Sequence, residues 1–246
     1  MQVNFVIGGT QKGGTSALDS FLRQHPQICM PETTKEVHFF DREEVFRGKP
    51  DYEKYHSHFH PGPEAAVIGE ASPIYMYWNT APSRIRSYNP QMKWILMLRN
   101  PVKRAYSAWN METKRGQETL SFADAVAQEA VRCREALPLQ HRIFSYIDRG
   151  FYAAQVRRLY NMFGPDKCLV LLNEDLESDH AGTLTKVFRF LGVDDSVVPP
   201  DARVFEHDYD QAIEPELHSK LTKTFHLDVK ELERLIRREL SSWCVI

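Results

Sequence analysis

A chain of 246 residues with 42% hydrophobic content can bury one sizeable core but is short for two full domains, so a single domain over residues 1–246 is expected. Its 31 basic and 33 acidic side chains leave a formal charge of −2, which excludes a general electrostatic attraction to nucleic acid. The basic residues that matter should then be local, around Lys12, Arg99, Lys103 and Arg104.

In chain order, apolar runs at 4–8, 65–68, 93–98 and 168–172 predict core strands. Helical patterns fall between them, at about 14–24, 101–113, 121–136, 151–163 and 181–191. Strands interleaved with helices predict an α/β fold with a doubly wound parallel sheet flanked by helices. A last helical pattern from about Pro215 to Leu240 reads as a helix packed on the core. The Pro/Gly-rich passages near 48–63 and 194–201 read as loops.

The first run carries the chemistry. Phe5-Val6-Ile7-Gly8-Gly9-Thr10-Gln11-Lys12-Gly13-Gly14-Thr15-Ser16 stops at a glycine-rich turn with one lysine and two hydroxyls before a helix. Glycines let N–H groups converge on an oxyanion, the helix offers the positive end of its dipole, and Lys12 adds a full charge. Against the nucleotide-binding pattern G-x-x-x-x-G-K-[ST], Gly8 and Gly13 match, but Gly14 takes the lysine position and the lysine sits at Lys12. The loop resembles the 5′-phosphosulfate loop of sulfotransferases that use 3′-phosphoadenosine 5′-phosphosulfate (PAPS).

Three further segments extend the resemblance. After the strand at 93–98 comes Arg99-Asn100-Pro101, then Arg104 and Ser107. An arginine at the carboxyl end of a strand faces the ligand crevice of an open α/β sheet. The segment is similar to the R-x-P-x-x-R-x-x-S pattern that holds the PAPS 3′-phosphate, which places Arg99 and Ser107 in that role. Lys35-Glu36-Val37-His38-Phe39-Phe40-Asp41 resembles the K-E-x-H-F-F segment of the heparan sulfate sulfotransferase branch and its bacterial relatives, where the glutamate is the general base. Gly69-Glu70-Ala71-Ser72-Pro73-Ile74-Tyr75 resembles that branch's G-E-x-[ST]-P-x-Y segment.

The resemblance implies a P-loop-like fold and metal-free sulfuryl transfer from PAPS to an acceptor hydroxyl of a carbohydrate, lipid or natural product, releasing 3′-phosphoadenosine 5′-phosphate (PAP). An amine is the second choice of acceptor. Glu36 would be the base and His38 its rival, with Lys12, Gly13, Gly14, Thr15 and Ser16 around the 5′-phosphosulfate. Tyr152, in a G-x-Y element, and Arg203 would contact the nucleotide; a core tyrosine is an equal reading of Tyr152. Read singly, Arg99 is equally a surface or salt-bridging arginine, and Glu36 is more often a solvated loop carboxylate.

Two departures stand out. Ala71 replaces the lysine that the heparan sulfate branch carries near the acceptor, and no glycine accompanies Arg203 between Asp201 and Pro215.

Other classes remain open at this level. An ATP–Mg²⁺ phosphotransferase would place Thr15 or Ser16 and Asp175 on the metal, and a non-catalytic module would bind PAPS or PAP without turnover. His56, His58 and His60 alternate and would share one face if extended, but Pro61-Gly62-Pro63 points to a loop that is solvated or substrate-facing. Cys29, Cys133, Cys168 and Cys244 lack C-x-x-C spacing, which fits a reducing cytoplasm. No apolar run approaches the roughly 18–20 residues of a membrane span, and Met1 leads almost directly into the first strand, so no signal segment is expected.

Overall fold

The computed structural model describes residues 1–201 and 212–245. Five parallel strands form one sheet: β1 (Phe5–Gly9), β2 (Ile28–Cys29), β3 (Val67–Ala71), β4 (Lys93–Leu98) and β5 (Cys168–Leu172), in the order β2-β3-β1-β4-β5. β1 sits at the centre, pairing Phe5 with Gly69 of β3 and with Lys93 of β4. After β1 the chain first builds the β3 side and then crosses to the β4 side. The turn after β1 therefore lies at the reversal of strand order, where open parallel sheets bind ligands at the carboxyl ends of their strands.

The strands are apolar on both alternating faces: Phe5 and Ile7, but also Val6, Trp94, Leu96 and Leu98, are fully buried. That double burial marks a sheet covered on both sides and explains why the strands read as continuous apolar runs. On one face, Phe5, Ile7, Ile95, Met97 and Leu171 pack with Leu18, Phe21 and Leu22 of helix α1 (Thr15–Leu22).

Among the described residues, three helices escape the sequence reading, at 52–56, 81–88 and 173–178, and the others sharpen it. α2 (Tyr52–His56) lies inside the passage expected to be a loop, capped by the Asp51 carboxylate on the Lys54 N–H at 3.0 Å. α3 (Ala81–Tyr88) begins with Pro82 in its first turn. α4 (Pro101–Lys114) is capped by Asn100, whose side-chain oxygen accepts from the Val102 and Lys103 N–H groups. α5 (Phe122–Glu135) and α6 (Tyr152–Phe163) fall where the periodicity placed helices, and α7 (Asn173–Ser178) follows β5 without a gap. α8 (His180–Leu191) contributes Leu184, Val187 and Phe188 to the core, and α9 (Pro215–Ile236) ends four residues before the expected Leu240.

The chain divides into two compact units. One comprises Met1–Leu98 and the segment starting at Leu159, and it holds the whole sheet. The other comprises Arg99–Arg158 and the C-terminal helix α9, and it is helical. In this second unit the Asp228 carboxylate of α9 accepts from the Tyr152 and Ala153 N–H groups and so caps α6.

Candidate functional site

In the sheet-bearing unit, the turn after β1 is built so tightly that only glycine fits its second half. Thr10 donates its N–H to the Met97 carbonyl at 2.8 Å, and Gly13 donates to the Thr10 carbonyl at 2.9 Å. A Cβ on Gly13 would stand 2.2 Å from the Met97 carbonyl oxygen. Gly14, at φ 101°, is left-handed, and a Cβ there would meet the Asn173 side-chain oxygen at 2.5 Å.

The Gly13 N–H is thus engaged within the turn, so this residue contributes space rather than a donor. Donors come from the next residues. Gly14 caps α1 without any side-chain hydrogen bond, and the first-turn N–H groups of a helix have no acceptor within it. An oxyanion satisfies such groups, and the dipole adds to the attraction. Lys12 stands at the mouth of the turn with φ 67°, one of three non-glycine residues in the left-handed region among the described residues.

The second such residue is His38, at φ 54°. Its ring is held between two carboxylates: Nδ1 is 3.1 Å from Asp41 Oδ2, and Nε2 is 3.1 Å from Glu36 Oε2. Asp41 is fully buried, while Glu36 keeps about a third of its side chain exposed. The hydrogen bonds to Asp41 and Glu36 outweigh burial and raise the His38 pKa from 6.5 to about 9. Burial pushes the Glu36 carboxyl up, but the hydrogen bond from His38 and the charge of Lys35 prevail and leave it below its ordinary value.

Lys35 completes the group. Its Nζ donates to the Ser16 hydroxyl at 2.5 Å and to Glu36 Oε1 at 3.4 Å. Four residues therefore form one chain of contacts: Ser16, Lys35, Glu36 and His38, closed by Asp41. The sequence singled out Ser16, Glu36 and His38 as site residues. Lys35 and Asp41 were present in the same heptapeptide without a role; a cation beside the base and a carboxylate three residues beyond the histidine were the available signals.

In the helical unit, Arg99 is the residue after β4 and stands before the Asn100 cap of α4. Tyr152 is fully buried, and its hydroxyl donates to the Arg99 carbonyl at 3.0 Å. Ser107 is buried in α4, and its Oγ has no hydrogen-bond partner among the described residues. A hydroxyl in that state is suited to an anion's oxygen.

The sequence as a whole decides the family. A family model of the sulfotransferase domain matches residues 3–243. The chain belongs to the sulfotransferase family. It is 32% identical over 200 residues to the human bifunctional heparan sulfate N-deacetylase/N-sulfotransferase 3, a match of 77% of this chain and 22% of that protein. It is also 32% identical over 192 residues to the human heparan sulfate glucosamine 3-O-sulfotransferase 6, covering 76% of this chain and 52% of that one. The chain thus spans about a fifth and about half of these two relatives. A crystal structure of a sulfotransferase from Alicyclobacillus acidocaldarius matches with a TM-score of 0.86 and 35% identity, over 99% of both chains.

Within this sulfotransferase, Ala71 is fully buried at the end of β3. Arg203 lies outside the described residues. The three alternating histidines do not converge: His56 Nε2 is 2.7 Å from the Tyr88 hydroxyl, and His60 Nδ1 is 3.5 Å from Glu32. Among the described residues no group of three His, Cys, Asp or Glu side chains is placed to hold a metal ion, and no helix is long and apolar enough to cross a membrane. Asp175 Oδ2 accepts the Leu172 N–H at 2.9 Å, a capping bond at the start of α7.

Proposed function

We propose that this sulfotransferase moves the sulfuryl group of PAPS to an acceptor hydroxyl, with Glu36 as general base. The observation that carries the reading is the Ser16–Lys35–Glu36–His38 chain of contacts, which joins the anion-binding turn to a carboxylate held ionised. Family membership favours sulfuryl transfer over ATP-dependent phosphotransfer, and so does the capping role of Asp175. The match of the family model to residues 3–243 supports a single sulfotransferase domain.

The residues present suit PAPS. The turn leaves no room for side chains at Gly13 and Gly14 and presents an uncapped helix start, and Ser107 offers a buried hydroxyl in need of a partner. Lys12, Gly14, Thr15 and Ser16 would hold the 5′-phosphosulfate, and Arg99 and Ser107 the 3′-phosphate. Tyr152 would act on the nucleotide through Arg99, by fixing its carbonyl. PAPS supplies the activated sulfuryl group.

Glu36 takes the acceptor's proton as the acceptor oxygen attacks sulfur in line, a contribution typically worth about 10²–10⁴-fold in rate. Lys12 and the first-turn N–H groups meet the charge developing on the departing phosphate oxygen. His38 is not the base at neutral pH: with a pKa of about 9 its ring is protonated and has no lone pair to accept a proton. It holds Glu36 ionised instead. The named activities of the two human relatives favour a carbohydrate acceptor, and the missing lysine at Ala71 favours one less anionic than heparan sulfate. Four free cysteines accord with a reducing cytoplasm.

The test is a thermal-shift comparison of PAP with ADP and with ATP–Mg²⁺, followed by sulfuryl transfer from PAPS to neutral and anionic oligosaccharides. A ligand at about 100 times its Kd should stabilise the fold by roughly 2.7 kcal/mol. Stabilisation by PAP that Arg99→Ala abolishes, with transfer that Glu36→Gln abolishes, supports the reading. Preference for ATP–Mg²⁺, or transfer undiminished in Glu36→Gln, overturns it.

A further inference from the structure

Behind the Lys35–Asp41 segment lies a carboxylate that the proposed reaction does not use. Glu70, in β3, has no exposed surface. Its Oε1 accepts from the Tyr55 hydroxyl at 2.6 Å and the Tyr75 hydroxyl at 3.1 Å, and its Oε2 accepts from the Ser72 hydroxyl at 2.6 Å. Burying a carboxylate is costly, and three donors satisfy it at a place where an apolar side chain would fill the same volume more simply.

The hydroxyls do more than satisfy Glu70. The Ser72 Oγ accepts the His38 N–H at 3.3 Å, and the Tyr75 hydroxyl accepts the Phe39 and Phe40 N–H groups at 3.0 and 3.4 Å. Burial pushes the Glu70 carboxyl above its ordinary value, but the geometry sets the orientation: with main-chain N–H groups on their lone pairs, the Ser72 and Tyr75 hydroxyls turn their single hydrogens toward the Glu70 oxygens. Three consecutive N–H groups are held in this way, beginning at His38, whose left-handed backbone needs outside support.

We propose that Glu70 is a positioning residue: by orienting the Ser72 and Tyr75 hydroxyls it fixes the His38–Phe40 main chain, and through His38 it holds Glu36 at the acceptor. The catalytic half of this inference rests on Glu36 being the base; the clamp itself does not. It gives the Gly69–Tyr75 segment a task of its own, as the scaffold of the Lys35–Asp41 segment. Substitution by glutamine keeps the shape but introduces an amide that donates, which reverses one hydroxyl and removes an acceptor from the loop.

The experiment pairs hydrogen exchange with kinetics in Glu70→Gln, Ser72→Ala and Tyr75→Phe. In Glu70→Gln, the His38, Phe39 and Phe40 amides should lose protection while those of β1 and β4 keep it. kcat should fall by about 10- to 100-fold, the scale set by slight misplacement of a reacting group, with the KM for PAPS and stabilisation by PAP unchanged. Ser72→Ala should expose the His38 amide alone and Tyr75→Phe the next two, and these two variants decide the matter if Glu70→Gln does not fold. Unchanged protection at these amides in folded variants overturns the clamp, whatever Glu36 does. Lost protection with undiminished kcat overturns the catalytic half, provided Glu36→Gln is inactive; if Glu36→Gln is active, it is the assignment of the base that fails.

Discussion

Lys35 Nζ donates to the Ser16 hydroxyl at 2.5 Å, so a residue beside the proposed base is tied to the first turn of the helix proposed to bind the anion. The same ammonium group reaches Glu36 Oε1. A ligand in the turn and the ionisation of Glu36 are therefore coupled through one cation. In Lys35→Met, Glu36 loses an attraction that keeps its carboxyl low, and the acid limb of the kcat profile should move to higher pH. A limb that stays in place would show that His38 alone sets the state of Glu36.

His38 gives a second dependence, at the alkaline end. Its pKa is raised by Asp41 and Glu36, so the stability that its charged form contributes is complete below pH 6.5 and is lost as pH rises through about 9. Activity should follow the same limb, because the neutral ring carries one N–H and can no longer donate to Asp41 and Glu36 together, so Glu36 loses a tether that positions it. A pH series of kcat and of the melting temperature should show both declining together near pH 9, and His38→Ala should abolish the shared limb.

Gly13 and Gly14 are expected to fail in different ways. Gly13→Ala drives a methyl against the Met97 carbonyl, and overpacking of this kind costs about 1–3 kcal/mol. Gly14→Ala adds the penalty of a left-handed alanine to its contact with the side-chain oxygen of Asn173. Combining it with Asn173→Ala should recover part of the lost stability, whereas no side-chain deletion should rescue Gly13→Ala. Chemical denaturation of the four proteins checks this.

Tyr152→Phe removes a single hydroxyl from the Arg99 carbonyl, a hydrogen bond worth about 0.5–1.5 kcal/mol. The fold should survive, and PAP should bind several-fold more weakly as Arg99 loosens, short of the loss expected for Arg99→Ala. Isothermal titration with PAP distinguishes the two; equal affinities for Tyr152→Phe and the unaltered protein would leave Tyr152 as a core residue only.

The sheet was largely legible in the sequence because a strand buried on both faces is a plain apolar run, as in Lys93–Leu98 and Cys168–Leu172. β2 was not, since two residues carry no pattern, and α3 was hidden by the polar run Ser83, Arg84, Arg86 and Ser87, which leaves only Ile85 and Tyr88 to mark a face. α2 lay in a Pro/Gly-rich passage and depends on the Asp51 cap. At the site, the motifs identified Ser16, Glu36 and His38, but a motif does not say which side chains meet. The cation joining Ser16 to Glu36 emerges only when residues 16 and 35 are brought together in space, and the pairing of His38 with Asp41 only from the local geometry of their loop.

Lys12 and His38 both hold a backbone conformation that neither would choose in a short peptide, at a typical cost on the order of 1–3 kcal/mol each. The surrounding fold must supply that energy for as long as the enzyme works. Loss of catalysis on warming should consequently precede global unfolding, with the turn and the Lys35–Asp41 segment relaxing toward ordinary geometry while the five strands still hold.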